Sequence, residues 1–278
     1  MAQHLTIGEN TLAYDLTGDG PLVVLAHGMG DSRHSYRFVA PALVTAGYRV
    51  ANVDLRGCGD SSIGWDGYSR TDIAGDLVAV VRHLGGPAVI IGQSISGGAA
   101  TIAAASAPEL ISGVIELAPF TRKQSTDLGA MLRDTRHRTA MTRLMGAAFL
   151  GSVSSWKKYL DLAYPTKPAD WDAELSRTER TMSEPGRMKV FRAMSQSSPS
   201  DAGAQLPHVT CPVLVVEGSA DPDWGDPRAE GERILADLRP GLGSLAVIEG
   251  AGHYPHAETP DRVVELALPF LAQAFARG

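Results

Sequence analysis

The 278-residue chain has only two cysteines, Cys58 and Cys211, far apart in the sequence. Two such residues give neither a disulfide framework nor a zinc-ligand spacing. Long apolar runs are missing too: nothing approaches the about eighteen consecutive apolar residues of a membrane span. Residues 1–8 have no charged stretch followed by an apolar one, so no secretory signal is expected there. No basic run stands out and the net charge is −6, which argues against nucleic acid or an anionic membrane as partner. There is no internal repeat and no low-complexity tract. These absences lead to the expectation of a soluble cytoplasmic protein, monomer or homodimer, needing no metal and no cofactor.

What is present is ordinary globular composition, 44% hydrophobic and 20% charged, over a length that suits one large domain with an insertion or two small ones. Thr6–Asp15 alternates, and Gly18-Asp19-Gly20-Pro21 marks a turn, which fits two antiparallel edge strands. Leu22–Ala26 is a continuous apolar run, as expected of a strand covered on both faces. It ends in His27-Gly28-Met29-Gly30. Ser35–Ala46 suits a helix with Phe38, Val39, Leu43 and Val44 inward. Tyr48–Asp54 reads as the next strand and leads into Arg56-Gly57-Cys58-Gly59. Arg70–Leu84 places Ile73, Leu77, Val80, Val81 and Leu84 at helical spacing.

Val89–Ile91 then meets Gly92-Gln93-Ser94-Ile95-Ser96, followed by a small-residue helix, Ala99–Ala107, and a strand, Gly113–Ala118. A strand, a sharp turn and a helix can hold a serine at the turn's tip as a nucleophile. Strand and helix pass so close there that the positions two residues either side must be small. Here they are Gly92 and Ser96, one departure from the usual Gly-x-Ser-x-Gly. Ser96 is itself a rival nucleophile, but it would sit one turn into the helix, beyond the strand tip.

From Arg122 to about Gln205 the strand–helix alternation stops. Met131–Leu150, Ser154–Tyr164, Trp171–Met182 and Gly186–Met194 read as helices punctuated by prolines. Arg133, Arg136, Arg138 and Arg143 read as a solvated helix face. Strands resume at Pro212–Val216 and Ser244–Glu249, with helices at Asp226–Leu238 and Asp261–Ala276. The expected division is a core of residues 1–121 and 207–278 carrying a helical cap, residues 122–206.

A serine hydroxyl needs a neutral imidazole to take its proton and a carboxylate to orient that imidazole. Two late strand ends supply candidates, Gly218-Ser219-Ala220-Asp221 and Gly250-Ala251-Gly252-His253. Asp223 and Asp226 compete with Asp221 as the acid, and His256 shares the loop of His253. Glu116, near another strand end, reads as structural. His253-x-x-His256 lacks the H-E-x-x-H helix of a zinc site, and Gly57-Cys58-Gly59 lacks the third glycine of a dinucleotide fingerprint.

Five motifs in this order, each ending an expected strand, resemble the α/β-hydrolases: His27-Gly28-Met29-Gly30, Asp54-x-Arg56-Gly57-x-Gly59-x-Ser61, the turn at Ser94, Gly218-x-x-Asp221 and Gly252-His253. The resemblance implies an α/β fold, a mostly parallel central sheet with helices on both faces and a helical cap insertion. It implies Ser94 as nucleophile, His253 as base, Asp221 as orienting acid, and an oxyanion hole at the backbone N–H groups of Met29 and Ile95. His27 is expected to meet the substrate or support the oxyanion loop, its alternative being a hydrogen-bonded histidine at a strand end. Trp224 is expected to line the substrate pocket, its alternative being buried packing. The substrate is expected to be a small acyl compound. The leading expectation is a serine hydrolase cleaving an ester, thioester or lactone. Others are a small-molecule receptor on the same fold, a cofactor-free haloperoxidase or perhydrolase, and a carbon–carbon bond hydrolase. Epoxide hydrolases and haloalkane dehalogenases of this fold use Asp where Ser94 stands.

Overall fold

The computed structural model describes residues 2–123 and 134–277. Their eight strands form one sheet: β1 (Gln3–Ile7), β2 (Asn10–Thr17), β3 (Leu22–Ala26), β4 (Arg49–Val53), β5 (Ala88–Gln93), β6 (Ile111–Leu117), β7 (Val213–Gly218) and β8 (Gly243–Ile248). Their order is β1-β2-β4-β3-β5-β6-β7-β8. β1 and β2 are antiparallel, as the alternating N-terminal stretch predicts, and β3 to β8 are parallel.

Period-two alternation splits the apolar strands between two cores. Val23, Leu25, Val89 and Ile91 face one side, with α1 (Val39–Thr45) and the C-terminal helix Pro260–Ala276. Leu22, Val24, Ala88 and Ile90 face the other, with α2 (Arg70–His83) and α3 (Ile95–Ser106). Both faces being covered explains why these strands read as continuous apolar runs.

The chain winds from β3 outward to β4, then returns past β3 to β5 and continues the other way. The order therefore reverses between β3 and β5, whose ends are paired, Ala26 opposite Gly92. Such a reversal leaves a crevice outside the strands' carboxyl ends, where open α/β sheets bind ligands. The loop carrying Met29 leaves β3 there, and Ser94 leaves β5.

The helix expected over Ser35–Ala46 is instead a 3₁₀ turn, Arg33–Tyr36, followed by α1. Pro41 explains the shift. A helix begun at Ser35 would put its ring against the carbonyl of Arg37, whereas in α1 it lies in the first turn, where no N–H is needed. Val39 and Leu43 are buried as expected, while Phe38 and Val44 are only half-buried.

Between β6 and β7 the described residues contain α4 (Thr135–Leu150), α5 (Val153–Ala163), α6 (Trp171–Met182), α7 (Arg187–Ser195) and a short turn, Ser200–Gly203. Asp134 caps α4 by accepting from the amides of Arg136 and His137, and Ser152 caps α5. The expected start of α4 at Met131, and Arg133, lie outside the described residues. Arg138 is exposed, as expected of a solvated face, whereas Arg136 and Arg143 are half-buried. Arg136 donates to Leu162 O and Arg143 to Lys158 O, so they tie α4 to α5.

These helices have their own apolar core, built on Trp156, Tyr159, Leu160 and Phe191. They are fastened to loops at the strand ends. Arg177 of α6 donates to Ser32 Oγ and Asp31 Oδ1, at 2.9 and 3.2 Å. Arg187 of α7 donates to Gly57 O and Gly59 O. The His253 amide donates to Ala163 O, the last residue of α5.

Candidate active site

Ser94 sits between β5 and α3 with φ +55° and ψ −118°, a conformation that L-residues rarely adopt. Its neighbours must be small. A Cβ on Gly92 would lie 2.3 Å from the Ser96 carbonyl oxygen, so the glycine is what lets helix and strand meet.

Ser96, the departure in the motif, is buried, and its hydroxyl donates to His27 O at 2.6 Å. It bonds across to the loop after β3, not within its own helical turn as such a residue could. His27 itself is fully buried. Its Nδ1 lies 2.7 Å from Gly28 O and its Nε2 accepts from the Leu55 amide, so one nitrogen donates and the other accepts. Burial lowers its pKa, consistent with a neutral ring. His27 thus braces the loop from beneath and is not among the residues lining the cavity above Ser94. Trp224 is also absent from that lining. It packs behind Phe120, with ring centroids 4.9 Å apart.

His253 Nδ1 lies 2.7 Å from Asp221 Oδ2, both groups buried. Of the competing acids, Asp226 is the exposed N-cap of helix Pro227–Asp237. Asp223 is close by: its Oδ2 lies 3.5 Å from His253 Nδ1 and accepts from Tyr159 of α5 at 2.7 Å. Its amide donates to Asp221 Oδ1. Asp221, Asp223 and His253 are spaced closely enough to hold a metal ion, but the short Nδ1–carboxylate contact also suits an imidazole oriented by acids. His256 is buried against Ser35 Oγ and stacks on Tyr36, and burial pushes its pKa down to about 3. Glu116 accepts from Thr101 and Thr121 inside the core, and burial raises its pKa to about 7. Burial raises the Cys58 thiol to about 12, far from a reactive thiolate.

Ser94 and His253 line one cavity of about 110 Å³, together with Met29, Ile95, Phe120 and Tyr159 among others. No hydrogen bond joins Ser94 to His253 among the described residues; such bonds commonly tighten only when substrate is bound. Gln93 was not singled out from the sequence. Its Nε2 donates to His253 O at 2.9 Å, tying the turn at Ser94 to the histidine loop. Phe120, whose amide donates to Ser94 O and whose ring meets the His253 ring edge-on, was also missed.

Burial alone would lower the His253 pKa, but the charges of Asp221 and then Asp223 outweigh it and raise the pKa to about 9. An imidazole that acts as a base must be neutral, so kcat/KM of any hydrolysis it serves is expected to rise with pH as the imidazolium loses its proton, with its limb near that value. Asp223→Asn removes one negative charge and should move the limb to lower pH. Measuring kcat/KM against pH for both proteins checks this, and a limb that stays put would separate Asp223 from the histidine.

The family model described as "Alpha/beta hydrolase family" matches residues 23–266. The chain belongs to this family. Over 98% of its length this alpha/beta hydrolase is 26% identical to 2-(acetamidomethylene)succinate hydrolase of Mesorhizobium japonicum, covering 95% of that protein. It is 28% identical over 92% of its length to 2-hydroxy-6-oxononadienedioate/2-hydroxy-6-oxononatrienedioate hydrolase of Klebsiella pneumoniae, covering 89% of it. Among solved structures, a thermophilic esterase from Thermogutta terrifontis superposes with a TM-score of 0.74 at 25% identity, covering 99% of each chain. The alpha/beta hydrolase fold expected from the motifs is therefore present, and these relatives are hydrolases.

Proposed function

We propose that the protein is a serine hydrolase that cleaves a small ester, thioester or lactone through an acyl-enzyme on Ser94. The observation that carries this is the conjunction of a strained serine with a buried His253–Asp221 pair opening on one cavity. Ser94 Oγ attacks the carbonyl carbon while His253 Nε2 takes the hydroxyl proton. The histidine then gives that proton to the leaving group, and water repeats the sequence to release the acid. Asp221 holds Nδ1–H and stabilises the cation that forms.

The oxyanion hole is assigned to the amides of Met29 and Ile95. Both residues line the cavity with Ser94. Ile95 is the first residue of α3, where a helix leaves its N–H without an internal partner. Each such donor contributes on the order of 3 kcal/mol to the tetrahedral intermediate. The helices from 135 to 195 act as the cap, and the small cavity beneath them favours a short acyl group. No described helix is long and apolar enough to cross a membrane; a cytoplasmic location remains part of the proposal.

The test is steady-state turnover of p-nitrophenyl acetate and butyrate. Many turnovers per protein, with acetate preferred or equal, are expected. A ligand-dependent rise in melting temperature with no turnover of any ester would instead identify a receptor.

A further inference from the structure

One wall of the cavity over Ser94 carries a charge that no residue of the relay explains. Arg70, at the start of α2, lines that cavity and is 95% buried. Its Nε donates to Phe120 O at 2.9 Å, and its Nη1 donates to Ser197 O at 2.9 Å and Ser197 Oγ at 3.1 Å. Nη2 has no hydrogen-bond partner among the described residues. All its acceptors are neutral, and among the described residues no carboxylate forms an ion pair with it. Asp201, the acid whose field reaches it, is itself bonded to Thr71 Oγ1. Carbonyl oxygens satisfy N–H groups but do not cancel a charge, and a buried cation without a counter-ion is costly. Burial accordingly lowers the Arg70 pKa to about 10, which still leaves it charged at neutral pH.

Two further features tie this cation to the nucleophile. A Cβ on Gly98, one turn along α3 from Ser94, would lie 3.0 Å from Arg70 Cδ, so the arginine stem passes directly over the nucleophile's helix. Phe120 joins them: its carbonyl accepts from Arg70 and its amide donates to Ser94 O. Among the described residues the other buried arginine, Arg56, contrasts with this. It is held two-pronged by Asp76, at 2.6 and 2.7 Å, and does not line the cavity.

We infer that Arg70 and Ser197 form an anion subsite, so that the acyl compound cleaved at Ser94 carries a free carboxylate bound by the Arg70 guanidinium. A carboxylate there supplies the missing counter-charge through charge-assisted hydrogen bonds. Asp223, held beside His253, repels the same group and keeps it away from the base. The inference rests on the serine-hydrolase reading only for the place of the ester bond.

The experiment compares monomethyl succinate and monomethyl glutarate with their ω-amides, which have the same shape without the charge. In the wild-type protein kcat/KM is expected to favour the carboxylates by at least about tenfold. The preference should fall to near unity in Arg70→Gln and be partly retained in Arg70→Lys, mainly through KM. Equal use of acid and amide by the wild-type protein overturns the inference without reference to any variant, so an unfolded Arg70→Gln leaves the answer intact. So does an undiminished preference in a folded Arg70→Gln, its fold checked by melting temperature. Calorimetric binding of the same four compounds to Ser94→Ala reads the contrast without turnover. If no ester is cleaved yet the acids still bind more tightly than the amides, the hydrolase reading fails while the anion subsite stands.

Discussion

Ser94→Ala is expected to lower kcat for p-nitrophenyl esters by roughly 10⁴- to 10⁶-fold and to abolish labelling by a fluorophosphonate. The size follows from what is lost. Without Oγ no acyl-enzyme forms, and water must attack directly with only the remaining cavity to help. Ser96→Ala is the informative control, because Ser96 Oγ is spent on His27 O. Its loss costs about 1 kcal/mol of stability, read as a lower melting temperature, with the fluorophosphonate adduct still on Ser94. Mass spectrometry of the labelled peptide checks both, and an adduct on Ser96 would overturn the assignment.

Asp221→Asn is expected to lower kcat by about 10⁴-fold with little change in packing. An amide has one acceptor oxygen where Asp221 uses two, for His253 Nδ1 and for the Asp223 amide, and it supplies no charge to stabilise the imidazolium. Asp223 sharpens the expectation. Its carboxylate is 3.5 Å from the same nitrogen, against 2.7 Å for Asp221, and is already engaged by Tyr159. The single variant should therefore retain more activity than Asp221→Asn/Asp223→Asn. Rates of the two single variants and the double variant measure that coupling. Equal rates for Asp221→Asn and the double variant would show that Asp223 gives the histidine no support.

The parts of the fold that could be read from sequence were those set by local patterns. Continuous apolar strands, the helical spacing of Ile73, Leu77, Val80 and Val81, and glycines ahead of Ser94 and His253 each carry their reason within a few residues. The helices between β6 and β7 were legible for the same reason, through caps such as Ser152 and stops such as Pro165. What was not legible depended on residues distant in sequence. Nothing local tells that Ser96 will reach His27, that Gln93 will hold the His253 backbone, or that Tyr159 will meet Asp223, 64 positions away. From sequence, His27 could meet the substrate or support the oxyanion loop, and Trp224 could line the pocket or pack in the interior. The structure puts both behind the wall, since neighbours along a chain leaving a strand can point to different sides. Arg70 carried no signal at all, because an arginine opening an amphipathic helix is ordinary until its surroundings are known.

The register of the sheet has a consequence for how this protein can change. Ala26 pairs with Gly92, and Val216 with Ala246, so the loops bearing Met29 and Ser94, and those bearing Asp221 and His253, leave from neighbouring strands. Their separations are set by backbone ladders spaced about 4.8 Å apart, not by side chains that substitutions alter. The helices overhead enter the cavity through side chains such as Trp156, Tyr159 and Met194. Selection can therefore rewrite the upper surface, exchanging one set of small molecules for another, while the strand-end residues below keep their spacing. Mutational tolerance should be divided along that boundary.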